Sequence, residues 1–275
     1  MFTHFQIFGR DIYTYGLLAG IGLVLAGLYA MICVKRRKHD ENDMIIVLLV
    51  AAAGVIVGGH LLYGITQIPY IPSRFAGISN FPDFVSFLSS TFGGSVFYGG
   101  LIGGVGAGML YLKLRKLDFQ VFTDVAAPTT ALFHGVARIG CFLGGCCYGV
   151  ESSWGFITHS NHLNPSVNGV VRFPVQLFEA GFELILFATL AFLLYKGILK
   201  GKLYLIYLVT YSVGRFILEF FRGDEYRGLV PFFGTSWLIS TSQVISIIIF
   251  ATCLPLLIIS IKKDSRRCEG CEEMR

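Results

Sequence analysis

Seven stretches of this sequence are apolar and long enough to cross a bilayer, and nothing else constrains the fold as much. A membrane-spanning helix needs about 17–25 predominantly apolar residues. Such runs lie at roughly 14–34, 44–65, 95–113, 121–143, 175–195, 203–221 and 243–261. Lipid offers no partner for a backbone N–H or C=O, so each run is expected as a helix that pairs its own backbone. The fourth is the most polar, because Pro128, His134 and Arg138 interrupt it. Only 14% of the 275 residues are charged and 54% are hydrophobic, whereas a soluble domain carries about a quarter charged residues. The expected fold class is an all-α polytopic membrane protein with about seven transmembrane helices, forming a single integral-membrane domain over 1–275.

The basic residues set the orientation. Lys35, Arg36, Arg37 and Lys38 follow the first run, Lys113, Arg115 and Lys116 the third, and Lys196, Lys200 and Lys202 the fifth. Lys262, Lys263, Arg266, Arg267 and Arg275 follow the seventh, so fifteen of the 22 Lys and Arg fall on one side of a seven-span chain. The other side receives Arg10, Arg74, Arg172, Arg222 and Arg227. The positive-inside bias then predicts an outer N-terminus and a cytoplasmic tail over 262–275. Residues 66–94 and 144–174 become outer loops that pack as a small cap, and 82–89 is expected as a short interfacial helix.

Several classes drop out. Residues 1–11 lack the basic n-region of a cleaved signal peptide. Seven irregularly spaced cysteines are no disulfide framework. The seventh run has no lysine for a retinal Schiff base. His159 and His162 read as surface polarity, and Cys268 and Cys271 as part of a solvated tail.

Two arginines remain inside or at the edge of spans, Arg138 and Arg215, where ionisable groups are costly and face a partner or a polar cavity. In the sixth run Tyr211, Arg215, Glu219 and Arg222 are spaced 4, 4 and 3 apart. On an α-helix they fall within roughly 80° of one another. One reading is an Arg215–Glu219 ion pair that ties helices together. The other is an anion site, since a guanidinium fork matches phosphate geometry. His134 lies one turn from Arg138 on the same face. Cys141, Cys146 and Cys147 match no zinc pattern and read as small packing residues. Glycines four apart around Gly99 and Gly100 read first as helix-packing positions.

With these residues in place, the chain resembles the prolipoprotein diacylglyceryl transferase family from Tyr15 to the seventh span. The likeness rests on Tyr15-Gly16-Leu17, Gly58-Gly59-His60-Leu61-Leu62-Tyr63, Gly99-Gly100-Leu101-Ile102-Gly103, Ala137-Arg138-Ile139-Gly140 with Gly149, Pro174-Val175-Gln176-Leu177-Phe178-Glu179, and the Tyr211–Arg222 stripe. It departs at Tyr98, where the family has histidine, at Cys141 (asparagine), Cys146 (glutamate) and His60 (arginine). The resemblance implies transfer of diacylglycerol from phosphatidylglycerol to the cysteine thiol of a lipoprotein-precursor signal peptide, releasing glycerol phosphate, in the bacterial inner membrane with the site toward the outer side. It implies that Arg138 and Arg215 hold the phosphate with Glu219 orienting Arg215. Because Tyr98 is a poor base, the proton-accepting role that the family gives to histidine at position 98 is expected of His134, with His60 as the rival and Tyr98 as a hydrogen-bond donor to the phosphate as the alternative. Substrate contacts are implied for Tyr15, His60, Tyr63, Gly99, Gly100, Gly140, Cys141, Gly149, Gln176, Glu179, Tyr211 and Arg222. The partners are membrane lipid and the precursor peptide; no cofactor, metal or nucleic acid is expected. Same-fold transfer to another acceptor, non-catalytic phospholipid binding and thiol-redox chemistry remain as alternatives.

Overall fold

The structure, a computed structural model, describes residues 4–7, 10–159, 165–224, 229–231 and 238–272. It divides into two compact units, Met1–Ala30 with Thr123–Arg275, and Met31–Phe122. In chain order, β1 (His4–Ile7) and β2 (Arg10–Tyr13) form a hairpin that leads into α1 (Thr14–Arg36), and α2 follows at Glu41–Thr66. A 3-10 turn, α3 (Ile71–Phe75) and α4 (Phe81–Phe92) come next, then α5 (Phe97–Leu114) and α6 (Phe119–Gly144). Strands β3 (Glu151–Ile157) and β4 (Val171–Arg172) pair ahead of α7 (Val175–Lys196) and α8 (Leu203–Leu218). The chain ends with β5 (Leu229–Pro231), β6 (Leu238–Ser240) and α9 (Thr241–Glu272).

The chain is thus mostly helical, with a helix at each apolar run. Among the described residues, five helices are long and apolar enough to cross a membrane: Thr14–Arg36, Glu41–Thr66, Val175–Lys196, Leu203–Phe221 and Thr241–Ser265. The apolar part of α5 is shorter, Gly99–Leu114, and α6 carries Asp124, His134 and Arg138 along its length. The expectation of an all-helical chain needs correction in the loops, where three two-stranded antiparallel ladders form. The longest strand, β3, is exposed along nearly its whole length and so carries no alternating pattern in the sequence. Two boundaries also move. The interfacial helix extends to Phe92, and α9 runs past 261 to Glu272.

In the unit Met31–Phe122, α2 and α5 cross with backbones nearly touching. A Cβ on Gly58 would strike the carbonyl of Gly99, and one on Gly99 the carbonyl of Gly58; Gly54 and Gly103 stand in the same reciprocal relation. Small residues four apart create this close approach, which dispersion and backbone contacts reward in lipid. On the outward side of α2, Leu49 and Ile56 are 63% and 62% exposed. In water each would forgo about 1.5–3 kcal/mol of burial, so the exposure fits a lipid-facing helix.

In the other unit, α6 is the central element. Its Gly140 and Gly144 admit Tyr15 and Leu18 of α1, and its Gly135 admits Leu184 of α7. Asp124 explains how a carboxylate sits at the start of an apolar segment. Its oxygens accept from the backbone N–H groups of Gly201 (2.5 Å) and Leu203 (3.0 Å) at the N-terminus of α8, where the helix dipole favours negative charge. Pro128 lies within α6 without ending it, and the Thr129 and Thr130 hydroxyls donate to carbonyls four residues back.

Candidate active site

The unit built around α6 gathers six charged residues at one place. Arg138 of α6 forms an ion pair with Glu179 of α7 at 3.0 Å, and Arg215 of α8 lies 3.9 Å from the other oxygen of the same carboxylate. Arg215 also meets Glu219 at 2.6 Å, and its Nη2 donates to the Ser242 hydroxyl of α9 at 3.2 Å. Arg222 lies 4.0 Å from Glu219 and pairs with Asp224. Glu179, Arg215 and Glu219 are all buried. Three cations and three carboxylates therefore share one cluster, with Glu179 as the bridge between α6 and α8.

This arrangement both keeps and amends the helical stripe read from the sequence. Regular α-helix stops at Leu218, and Glu219–Phe221 tightens into a 3-10 turn that leaves Arg222 extended. The strict 100° spacing fails at Arg222, yet the ion pairs keep it beside Glu219. The segment after the turn is held by β-like bonds. Val150 N–H donates to Phe221 and Gly223 N–H to Tyr148. Gly149 sits between the backbones of Phe173 and Phe221, where a Cβ would collide with the Phe173 carbonyl. Gly149 is thus a close-approach position that fixes Arg222.

Donors remain unused within this buried cluster. Arg138 Nε and Arg215 Nη1 have no hydrogen-bond partner among the described residues. A buried guanidinium N–H without a partner is costly, so these two are the donors an anionic ligand would satisfy.

His134 needs correction. The sequence sets it beside Arg138 alone. In the structure its Nδ1 lies 3.1 Å from the fully buried Glu183 carboxylate and 3.5 Å from the Tyr207 hydroxyl, with the Tyr211 ring at 5.3 Å. Glu183 escaped the sequence reading, although its place four residues after Glu179 puts both acids on one face of α7. Two expected substrate contacts serve the scaffold. Gln176 Nε2 donates to the Cys146 carbonyl at 2.8 Å, and Glu179 is the arginine bridge.

The loop after α6 turns back on itself. Cys146 N–H donates to the Cys141 carbonyl, and Gly145 and Cys147 both take positive φ. The thiols of Cys141, Cys146 and Cys147 all lie within 4.8 Å of one another. Hydrogen bonds from Cys141 and Cys146 hold the Cys147 thiol below the ordinary thiol range, with Arg138 and Arg222 adding to the effect against burial.

The remaining site residues belong to the unit Met31–Phe122. His60 Nδ1 faces two carbonyls, Phe92 at 2.7 Å and Gly94 at 2.8 Å, so it must be the protonated nitrogen. Tyr63 fills the space left by Gly94, and Gly99 and Gly100 sit at the α2–α5 crossing. The side chain of Tyr98 lies outside the described residues, as do His162, Arg227 and the side chains of Cys268 and Cys271.

A multi-pass helical membrane protein with an arginine–glutamate cluster buried among its helices is the class that this fold and site define. The family model for prolipoprotein diacylglyceryl transferase matches residues 3–259. Phosphatidylglycerol–prolipoprotein diacylglyceryl transferase 2 of Clostridium perfringens (strain 13 / Type A) is 38% identical over 250 residues, covering 89% of each chain. The Clostridium tetani enzyme of that name is 34% identical, covering 88% of this chain and 92% of its own. A Campylobacter jejuni relative is 32% identical over 94% of this chain and 92% of its own. The chain belongs to the prolipoprotein diacylglyceryl transferase family.

Proposed function

We propose that the protein is a phosphatidylglycerol–prolipoprotein diacylglyceryl transferase of the bacterial inner membrane. It moves diacylglycerol from phosphatidylglycerol to the cysteine thiol of a lipoprotein-precursor signal peptide and releases glycerol phosphate. The observation that carries this reading is the pair of arginines, Arg138 and Arg215, bridged by Glu179 and each retaining a buried donor without a partner. Charge develops on the phosphate as its bond to the glyceryl carbon breaks. Preorganised guanidinium donors in a water-poor site stabilise that charge. Glu219 and Ser242 fix the Arg215 fork; Glu179 fixes both arginines from the opposite side.

The acceptor thiol must lose its proton to become a good nucleophile. His134 is the proposed proton acceptor. With Nδ1 held by Glu183, its free nitrogen is Nε2, in the arrangement by which a carboxylate orients an imidazole.

On the seven-span reading with an outer N-terminus, this site lies toward the outer side, and 66–94 and 144–174 are outer loops. The distribution of Lys and Arg supports that topology. Labelling of single cysteines introduced within 35–43 should succeed only from the cytoplasmic side, and labelling from outside would reverse the assignment.

The activity itself is tested by incubating purified protein with phosphatidylglycerol and a lipobox peptide. A thioether-linked diacylglyceryl peptide and an equal amount of glycerol phosphate are the expected products. An unmodified peptide with intact, folded protein would refute the reading.

A further inference from the structure

The three cysteines of the turn after α6 have no part in the phosphate site as described, yet the fold brings them together deliberately. Cys141 closes the helix and is buried, Cys147 is half-buried and Cys146 is exposed. The chain reverses between them through positive φ at Gly145 and at Cys147 (53°), a conformation that costs a non-glycine residue about 1 kcal/mol or more. Two polar contacts hold the reversal, Cys146 N–H to the Cys141 carbonyl and Gln176 Nε2 to the Cys146 carbonyl. All three Sγ atoms end within 4.8 Å of one another. Zinc–thiolate bonds of about 2.3 Å put tetrahedral ligand sulfurs ~3.8 Å apart, so three thiolates at this spacing need only a small inward shift to share one ion. Three thiolates on a divalent ion leave a net negative charge, and Arg138 and Arg222 lie within electrostatic reach of Cys147 to offset it.

We propose that Cys141, Cys146 and Cys147 form a three-thiolate site for a zinc-class divalent cation, whose remaining coordination position takes the acceptor cysteine of the incoming peptide. Three protein ligands and one open position are the arrangement of catalytic rather than structural zinc, and only a thiolate binds such an ion well. The role given to the open position rests on the transferase reading above. On that reading the peptide thiol binds the ion as thiolate and releases its proton to solvent. A sulfur electron pair then forms the bond to the glyceryl carbon. The carbon–oxygen bond to phosphate breaks, and its electron pair leaves on glycerol phosphate. No oxidant or reductant is involved.

The test uses the full chain in nanodiscs with Cys268→Ser and Cys271→Ser, which removes the tail thiols from the readout. Cadmium is titrated in, and the thiolate-to-metal charge-transfer band counts the sulfurs bound. One ion per chain with three thiolates is expected, and each of Cys141→Ser, Cys146→Ser and Cys147→Ser should remove about a third of the band. In the protein without those three changes, bound zinc should also slow alkylation of all three thiols, a readout that needs no site variant to fold. A lipobox peptide should add one further thiolate to the band, and the same peptide with serine for cysteine should add none.

No band, a band indifferent to the three substitutions, or a disulfide among the three thiols in place of metal uptake would overturn the site. A peptide that adds no thiolate, or diacylglyceryl transfer by metal-free protein, would overturn the role of the open position while leaving the transferase reading intact. Metal and peptide binding without any thioether product would do the reverse.

Discussion

Two regions of the molecule solve the problem of packing helices in lipid by opposite means. Where α2 meets α5, side chains are removed: Gly58 and Gly99 bring the two backbones together. Where α6, α7 and α8 meet, charge is added: Arg138, Glu179, Arg215 and Glu219 stand within 4 Å of one another in succession. The first arrangement gains from dispersion and close contact alone. The second takes ions out of water, and well-packed apolar residues would hold the same helices at least as well. A crossing that needs only glycine is scaffold. A cluster of ions retained at that expense, with guanidinium donors left unused, is what the proposed phosphate site requires.

The comparison breaks most visibly at Arg138. Arg138→Ala strands the Glu179 carboxylate, and losing one partner of a buried pair costs about 3–5 kcal/mol. Transfer should fall by about 10²–10³-fold, the effect of losing one preorganised donor to a developing oxyanion. Thermal unfolding in detergent and a product assay would check the two effects. Arg215→Lys separates charge from geometry. Lysine keeps the positive charge but cannot span Glu219, Glu179 and a phosphate at once, so the rate should drop by about 10²-fold with a smaller loss of stability. His134→Gln should lower the rate by about 10²-fold, the low end for a general base, and abolish the acid limb of the pH–rate profile. An unchanged profile would remove His134 from the proton transfer. Gly54→Leu gives the opposite result. Overpacking the α2–α5 crossing costs about 1–3 kcal/mol, while the rate per folded molecule stays that of the wild type.

The two regions also differ in how well the sequence reveals them. The glycine crossing is legible because it is local: residues four apart on each helix announce a small-residue face. Helix positions were legible for the same reason, through length and hydropathy. Arg138 and Arg215 stood out because a charge in a span is rare. Their partners did not. Glu179 reads as a motif residue, and only the fold shows that it touches arginines on two other helices. Glu183 drew no notice because its partner, His134, lies on a different helix, 49 residues away. The meeting of the three thiols was not legible, because zinc patterns in sequence assume separated pairs. Here one residue at the end of a helix meets two that a left-handed turn folds back onto it. The loop hairpins were invisible, since even β3, the longest strand, carries no alternating pattern.

The central claim is that the Arg138–Glu179 pair exists for the phosphate rather than for the fold. The most direct measurement is the transfer rate of a charge-balanced variant, Arg138→Met with Glu179→Gln, beside the wild type in the same nanodiscs. Neither residue then leaves a buried charge unpaired by the loss of the other. The account predicts a protein that unfolds within about 1–2 kcal/mol of the wild type and forms thioether product at least about 10²-fold more slowly. Wild-type transfer by this variant would contradict it.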